Sequence, residues 1–128
     1  ARAEIGEVPA SVIHVGAVSD DDLACLYTGA AGLAFPSLYE GFGLPVVEAA
    51  ACGARVLTSN GSALPEVSPP DSLLVDPESV AEIAQAMQEL LTAPRDPAAA
   101  EARTAFARRF DWDATARDYA ALFDRVFS

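Results

Sequence analysis

The apolar positions of this chain switch repeatedly between short continuous runs and helical spacing. Val12 to Gly16 (VIHVG) is a β-branched run closed by glycine, which reads as a strand. Ser19-Asp20-Asp21-Asp22 then offers capping side chains for a helix through about Gly29. A strand follows at Leu33 to Pro36, then a helix at Leu44 to Cys52 stopped by Gly53, and a strand at Arg55 to Thr58. A helical turn at Leu64 to Val67 and a strand at Leu73 to Asp76 complete this alternation. The runs are nearly continuous in apolar residues, as strands covered on both faces require. The pattern predicts an α/β fold: a parallel, Rossmann-like sheet of about four strands with helices on both faces.

Beyond residue 77 the chain reads as helix. Val80, Ile83, Ala84, Met87, Leu90 and Leu91 recur at helical spacing, predicting an amphipathic helix over 78–92 with Met87 as core filler. Ala93-Pro94-Arg95-Asp96-Pro97 cannot continue that helix and reads as a linker. A second helix spans about Ala98 to Phe110. The last starts from an Asp111 cap and places Trp112, Ala116, Tyr119, Phe123 and Val126 on one stripe, read as a packing surface rather than a cofactor box. Residues 94–128 thus form a C-terminal helical extension, and the fold ends in three helices.

Composition narrows the function. At 128 residues the chain is one modest domain. No apolar run approaches the ~20 residues of a membrane span. The opening ARAEIGEVPASV has neither the basic start nor the apolar core of a secretory signal. Eight arginines, no lysine and 19 acidic residues give a net charge of −11, which argues against nucleic acid and anionic lipid as partners. Cys25 and Cys52 lack metal-ligand spacing and read as reduced packing residues of a soluble, cytoplasmic protein. His14, the single histidine, reads as a satisfied core residue of the first strand, and no metal site is expected.

Candidate chemistry concentrates between Phe35 and Gly53, a strand, glycine-containing loop and helix. Such turns in a parallel sheet are where ligands bind. Gly41 and Gly43 flank Phe42 and would let backbone N–H groups approach an oxygen-rich ligand, or would simply serve the turn. Pro45 suits a first helical turn, whose free N–H groups favour an anion such as a diphosphate. Glu40 and Glu48 could accept paired hydrogen bonds from vicinal hydroxyls of a ribose or hexose. The plainer readings are a solvated loop charge for Glu40 and, for Glu48, an acid near a helix N-terminus, worth about 0.3–1 kcal/mol.

The run from Pro36 to Val67, PSLYEGFGLPVVEAAACGARVLTSNGSALPEV, resembles the signature of glycosyltransferase family 4, retaining enzymes of the GT-B fold. Weaker likeness extends through VIHVGAVSDDDLACLYTGA, SLLVDPESVAEIAQAM and FDWDATARDY, so it spans nearly the whole chain. The resemblance implies the nucleotide-sugar (donor) binding part of a hexosyltransferase. Glu40 would meet the hydroxyls of the transferred sugar and act catalytically. Backbone groups of Gly41, Phe42 and Gly43 would approach the sugar, and Leu44 and Pro45 would lie at the diphosphate. Glu48 would hold the ribose, and Ala17 and Val18 would border the base. Asn60 and Glu66 would shape the pocket indirectly. No metal or other cofactor is implied; the nucleotide sugar is a substrate.

In that family an acceptor-binding domain and two further strands precede the segment seen here, and those strands carry an Arg and a Lys that neutralise the diphosphate. On this reading residues 1–128 are a partial GT-B C-terminal domain, inactive alone. The family's sheet order places the two strands between Val12–Gly16 and Leu33–Pro36. The expectation is that these two pair directly or that exposed edges pair with a second copy, giving a homo-oligomer. The rival readings are a noncatalytic sugar-nucleotide-binding or interaction module, and a GT-B nucleotide-sugar epimerase.

Overall fold

The computed structural model describes residues 9–127. Residues 1–8, part of the opening read as lacking a secretory signal, lie outside them. Nine elements follow in order: α1 (Asp20–Gly29), β1 (Leu33–Phe35), α2 (Leu44–Ala51), β2 (Val56–Ser59), α3 (Leu64–Val67), β3 (Leu73–Val75), α4 (Val80–Thr92), α5 (Pro97–Ala107) and α6 (Trp112–Phe127).

Local chemistry explains where these elements start. Ser19 caps α1 by accepting from the Asp22 N–H, Ser79 caps α4 through the Glu82 N–H, and Asp96 caps α5 through the Ala98 and Ala99 N–H groups. Gly53, at φ 74°, turns the chain out of α2.

The three strands form one parallel sheet in the order β1-β2-β3. Every β2 residue is buried, because the central strand is covered on both sides. Val56 faces a cluster with Val46 and Ala49 of α2, Ala54 of the turn after it, and Leu64 and Val67 of α3. Leu57, one residue on and so on the opposite face, packs with Val75, Ala86 and Leu90 against α4. Full burial of a side chain such as Leu57 contributes about 1.5–3 kcal/mol. Outside α2 lies α5, held by its buried Arg103, which donates to the half-exposed Asp71 Oδ2 at 2.9 and 2.7 Å and to the Gly53 carbonyl at 3.0 Å.

Several expectations are corrected. The described residues contain three strands, not four, because Val12–Gly16 is irregular and exposed, with Ile13 82% accessible. A strand exists only by pairing, and among the described residues this segment pairs neither with β1 nor with another strand. His14 is consequently on the surface rather than in a core. Cys25 is exposed and Cys52 half-buried, both as free thiols. In α4 the inward line is Ile83, Ala86 and Leu90, while Val80, Met87 and Leu91 are exposed; Ala86 lets the helix come close, which turns Met87 out to the flank. The stripe on α6 is not packed into the core: among the described residues none of that helix's is buried. Its rings contact one another instead, Tyr119 with Phe123 at 6.4 Å and Phe123 with Phe127 at 6.1 Å.

Candidate functional site

The site is built where β1 ends. Pro36 has no N–H, so the ladder to β2 stops there and the chain turns, with the Ser37 N–H donating to the Phe35 carbonyl at 2.9 Å. Beyond the end of the ladder, β2 side chains reach across to carbonyls of this turn. Thr58 Oγ1 donates to the Phe35 carbonyl at 2.9 Å, and Ser59 Oγ donates to the Ser37 carbonyl. Both hydroxyls are fully buried, where an unmet one would cost about 1–3 kcal/mol. They extend the sheet into the loop and fix its course.

On that loop the Ser37 hydroxyl donates to Glu40 Oε1 at 2.9 Å, and the Glu40 N–H donates to Ser62 Oγ at 3.2 Å. Ser62 adopts a left-handed φ of 54°, the one non-glycine residue to do so among those described. Glu40 is half-buried and held at both its carboxylate and its backbone.

The two glycines play different parts. Gly43 is the N-cap of α2 at φ 100°, and a Cβ there would sit 2.6 Å from Leu64 Cδ2. Its lack of a side chain is demanded by the fold. Gly41 has open space around it, and nothing lies within 4 Å of where its Cβ would be. Helix α2 has no side-chain cap, and Pro45 occupies its first turn, so its positive end faces outward at the rim.

Glu48 is exposed on α2, and α1 packs alongside that helix. This brings Tyr27 to it: burial first, then the charge and acceptor oxygens of Glu48, raise the Tyr27 hydroxyl above its ordinary pKa. Phe42 is partly exposed and rests edge-on against Phe110 at 5.7 Å, so the end of the α5 region props the loop. Leu44 is exposed. Ala17 and Val18 lie in the exposed segment before α1. Asn60 is exposed, its N–H donating to the Val75 carbonyl, and Glu66 is exposed on α3.

The structure therefore gathers Glu40, Gly41, Phe42, Gly43, Leu44, Pro45 and Glu48 on one strand-loop-helix unit. It adds Ser37, Ser59, Ser62 and Tyr27. A serine spacing pattern reveals nothing, since the contacts of Ser59 and Ser62 span 22 residues. Tyr27, by contrast, could have been sought from the side of α1 facing α2.

Three arginines lie at the opposite end of the sheet, where helix C-termini converge. Arg95 donates to the Gly29 carbonyl at 2.8 Å, Arg103 to that of Gly53, and Arg55 to that of Glu89 at 3.4 Å. Each offsets the negative end of a helix. A cavity of about 370 Å³ lined by Thr28, Cys52 and these arginines lies there, away from Glu40 and Glu48. Among the described residues no group of three or more His, Cys, Asp or Glu is placed to hold a metal ion. No helix among them is long and apolar enough to cross a membrane.

Residues 1–109 match the family described as glycosyl transferases group 1. The chain is 41% identical over 104 residues to the O-antigen chain mannosyltransferase B of Escherichia coli, covering 78% of this chain and 26% of that protein. It is 35% identical over 132 residues to the MMP alpha-(1->4)-mannosyltransferase of Mycolicibacterium hassiacum, covering 98% of this chain and 32% of the relative. A glycogen synthase of Mycobacterium tuberculosis is 35% identical over 116 residues, with 85% and 27% covered. The chain thus spans about a quarter to a third of the length of these curated relatives. No solved structure matches it. With 109 of its 128 residues matched and its two glutamates on a strand-loop-helix rim, the chain belongs to the group 1 glycosyl transferases.

Proposed function

We propose that this chain is the donor-binding part of a retaining, family 4 glycosyltransferase of the GT-B fold, which moves a hexose from a nucleotide diphosphate sugar to an acceptor. The observation that supports it best is the pairing of Glu40 and Glu48 on either side of the uncapped N-terminus of α2, at the C-terminal edge of a parallel sheet. Glu40 accepts from hydroxyls of the transferred sugar, and Glu48 from those of the ribose. The backbone of Gly41, Phe42 and Gly43 meets the sugar. The open end of α2 at Leu44 and Pro45 faces the diphosphate, where fixed N–H groups stabilise charge as the bond from the sugar to the phosphate oxygen breaks. Ala17 and Val18 border the base.

No metal is invoked in this reading, and the protein works in the cytoplasm. Mannose is the hexose named in two of the relatives. Three of the arginines are committed to helix C-termini far from the rim. On this reading neutralisation of the diphosphate, like acceptor binding, falls to parts of the protein beyond these residues, and residues 1–128 alone do not turn over. The test is calorimetric titration of the full-length protein with GDP, GDP-mannose, UDP and UDP-glucose. Glu48→Ala is expected to weaken nucleotide binding about tenfold or more, as loss of charged hydrogen bonds implies. Binding indifferent to Glu48→Ala would count against the donor-site reading and favour a noncatalytic module.

A further inference from the structure

We propose that Ser37 is a positioning residue for Glu40, held in place by Ser59 from the neighbouring strand, so that the sugar-facing carboxylate is oriented before ligand arrives. The inference rests on the reading of Glu40 as a contact to the transferred sugar.

A serine hydroxyl carries one hydrogen. Ser37 Oγ has two acceptors within reach, Glu40 Oε1 at 2.9 Å and the Tyr39 carbonyl at 3.4 Å. The carboxylate is nearer and charged, so it takes the proton. Oε1 is thereby pinned, while Oε2 keeps its lone pairs for a pair of vicinal hydroxyls. A glutamate on a loop otherwise samples many rotamers, and freezing them on binding would reduce affinity.

The pin is itself anchored. Ser59 is fully buried at the end of β2 and donates to the Ser37 carbonyl, while the Glu40 N–H donates to Ser62 Oγ at 3.2 Å. Neighbouring Thr58 fixes Phe35 in the same manner at 2.9 Å. Glu40 thus hangs from the rigid central strand through side-chain hydroxyls rather than from the mobility of its own loop, as a preorganised site requires.

The experiment is calorimetry on the full-length protein with the nucleoside diphosphate that binds, GDP or UDP, and with GDP-mannose or UDP-glucose to match. The quantity read is the ratio of the two dissociation constants, which isolates the contribution of the sugar. Ser37→Ala is expected to shrink that ratio about five- to tenfold while leaving the nucleoside diphosphate affinity unchanged, and Ser37→Thr, which keeps the hydroxyl, to restore it. An unchanged ratio in Ser37→Ala, or an equal loss for nucleotide and sugar nucleotide, would overturn the inference. Glu40→Ala separates the two levels. If it collapses the ratio while Ser37→Ala leaves it intact, only the positioning role falls. If it leaves the ratio intact, the sugar-contact reading of Glu40 falls as well.

Discussion

Gly43 and Leu64 approach so closely that a Cβ on the glycine would sit 2.6 Å from Leu64 Cδ2. Leu64 is fully buried and cannot swing aside, and Gly43 holds φ at 100°. Overlap and backbone strain therefore act together at the start of the helix that bears Glu48. Gly43→Ala is expected to lower unfolding stability in urea by about 2–4 kcal/mol. Leu64→Ala in the same chain should relieve the overlap, so the double variant loses less than the sum of the two. Strict additivity would show that the contact is not the cause. Gly41→Ala, with open space around it, should change stability by less than about 0.5 kcal/mol.

Tyr27 and Glu48 are linked by charge. The folded Tyr27 hydroxyl titrates above its ordinary 10.0 because of burial and, second, because of the Glu48 carboxylate. The folded state therefore holds this proton more tightly than the unfolded chain does. The resulting stabilisation is complete below pH 10 and is lost as pH rises through the folded value. Tyrosinate absorbance, with Tyr27→Phe subtracted, should show this group titrating later than an ordinary tyrosine. Glu48→Gln should move it down without returning it to the ordinary value, since burial remains. A Glu48→Gln titration identical to the parent would place the carboxylate out of reach.

How far these relationships could be read beforehand depends on the range of the force involved. Ser19, Pro45 and Gly53 mark helix ends through contacts within a few residues, and those ends are legible from sequence. Val12–Gly16 has strand composition, but a strand needs a partner backbone, and composition cannot say whether one is at hand. Met87 fits the apolar period of its helix, yet the helix's phase is set by which residue comes nearest to Leu57 and Val75, and small Ala86 takes that place. In the site, the glutamates and glycines stood out by residue type. Ser37, Ser59 and Ser62 did not, because serine in a loop has a solvated reading until a partner 22 residues away is folded onto it.

Trp112 is the chain's one tryptophan and is 78% exposed on the unburied α6. In residues 1–128 its emission should be that of a solvated indole, readily quenched by acrylamide. A blue-shifted, protected spectrum would show that the α6 stripe is covered, by a second copy or otherwise, contrary to the arrangement described.

Arg103 joins α5 to two places, the turn before β3 through Asp71 and the end of α2 through the Gly53 carbonyl. Arg103 is buried to 7% accessibility and serves two acceptors, Asp71 and the Gly53 carbonyl, whereas the Asp71 side chain is 47% exposed. That asymmetry sets the order of costs. Asp71→Ala strands a buried guanidinium, but one that keeps its bond to Gly53 and can draw in water on the open side, for a loss of about 1–3 kcal/mol. Arg103→Ala removes packing as well as both bonds and should cost about 3–5 kcal/mol. Arg103→Met, which fills the volume without charge, should recover part of that loss. Urea denaturation of the three variants tests the order, and an Asp71→Ala loss larger than that of Arg103→Ala would show that the carboxylate, not the buried arginine, organises the junction.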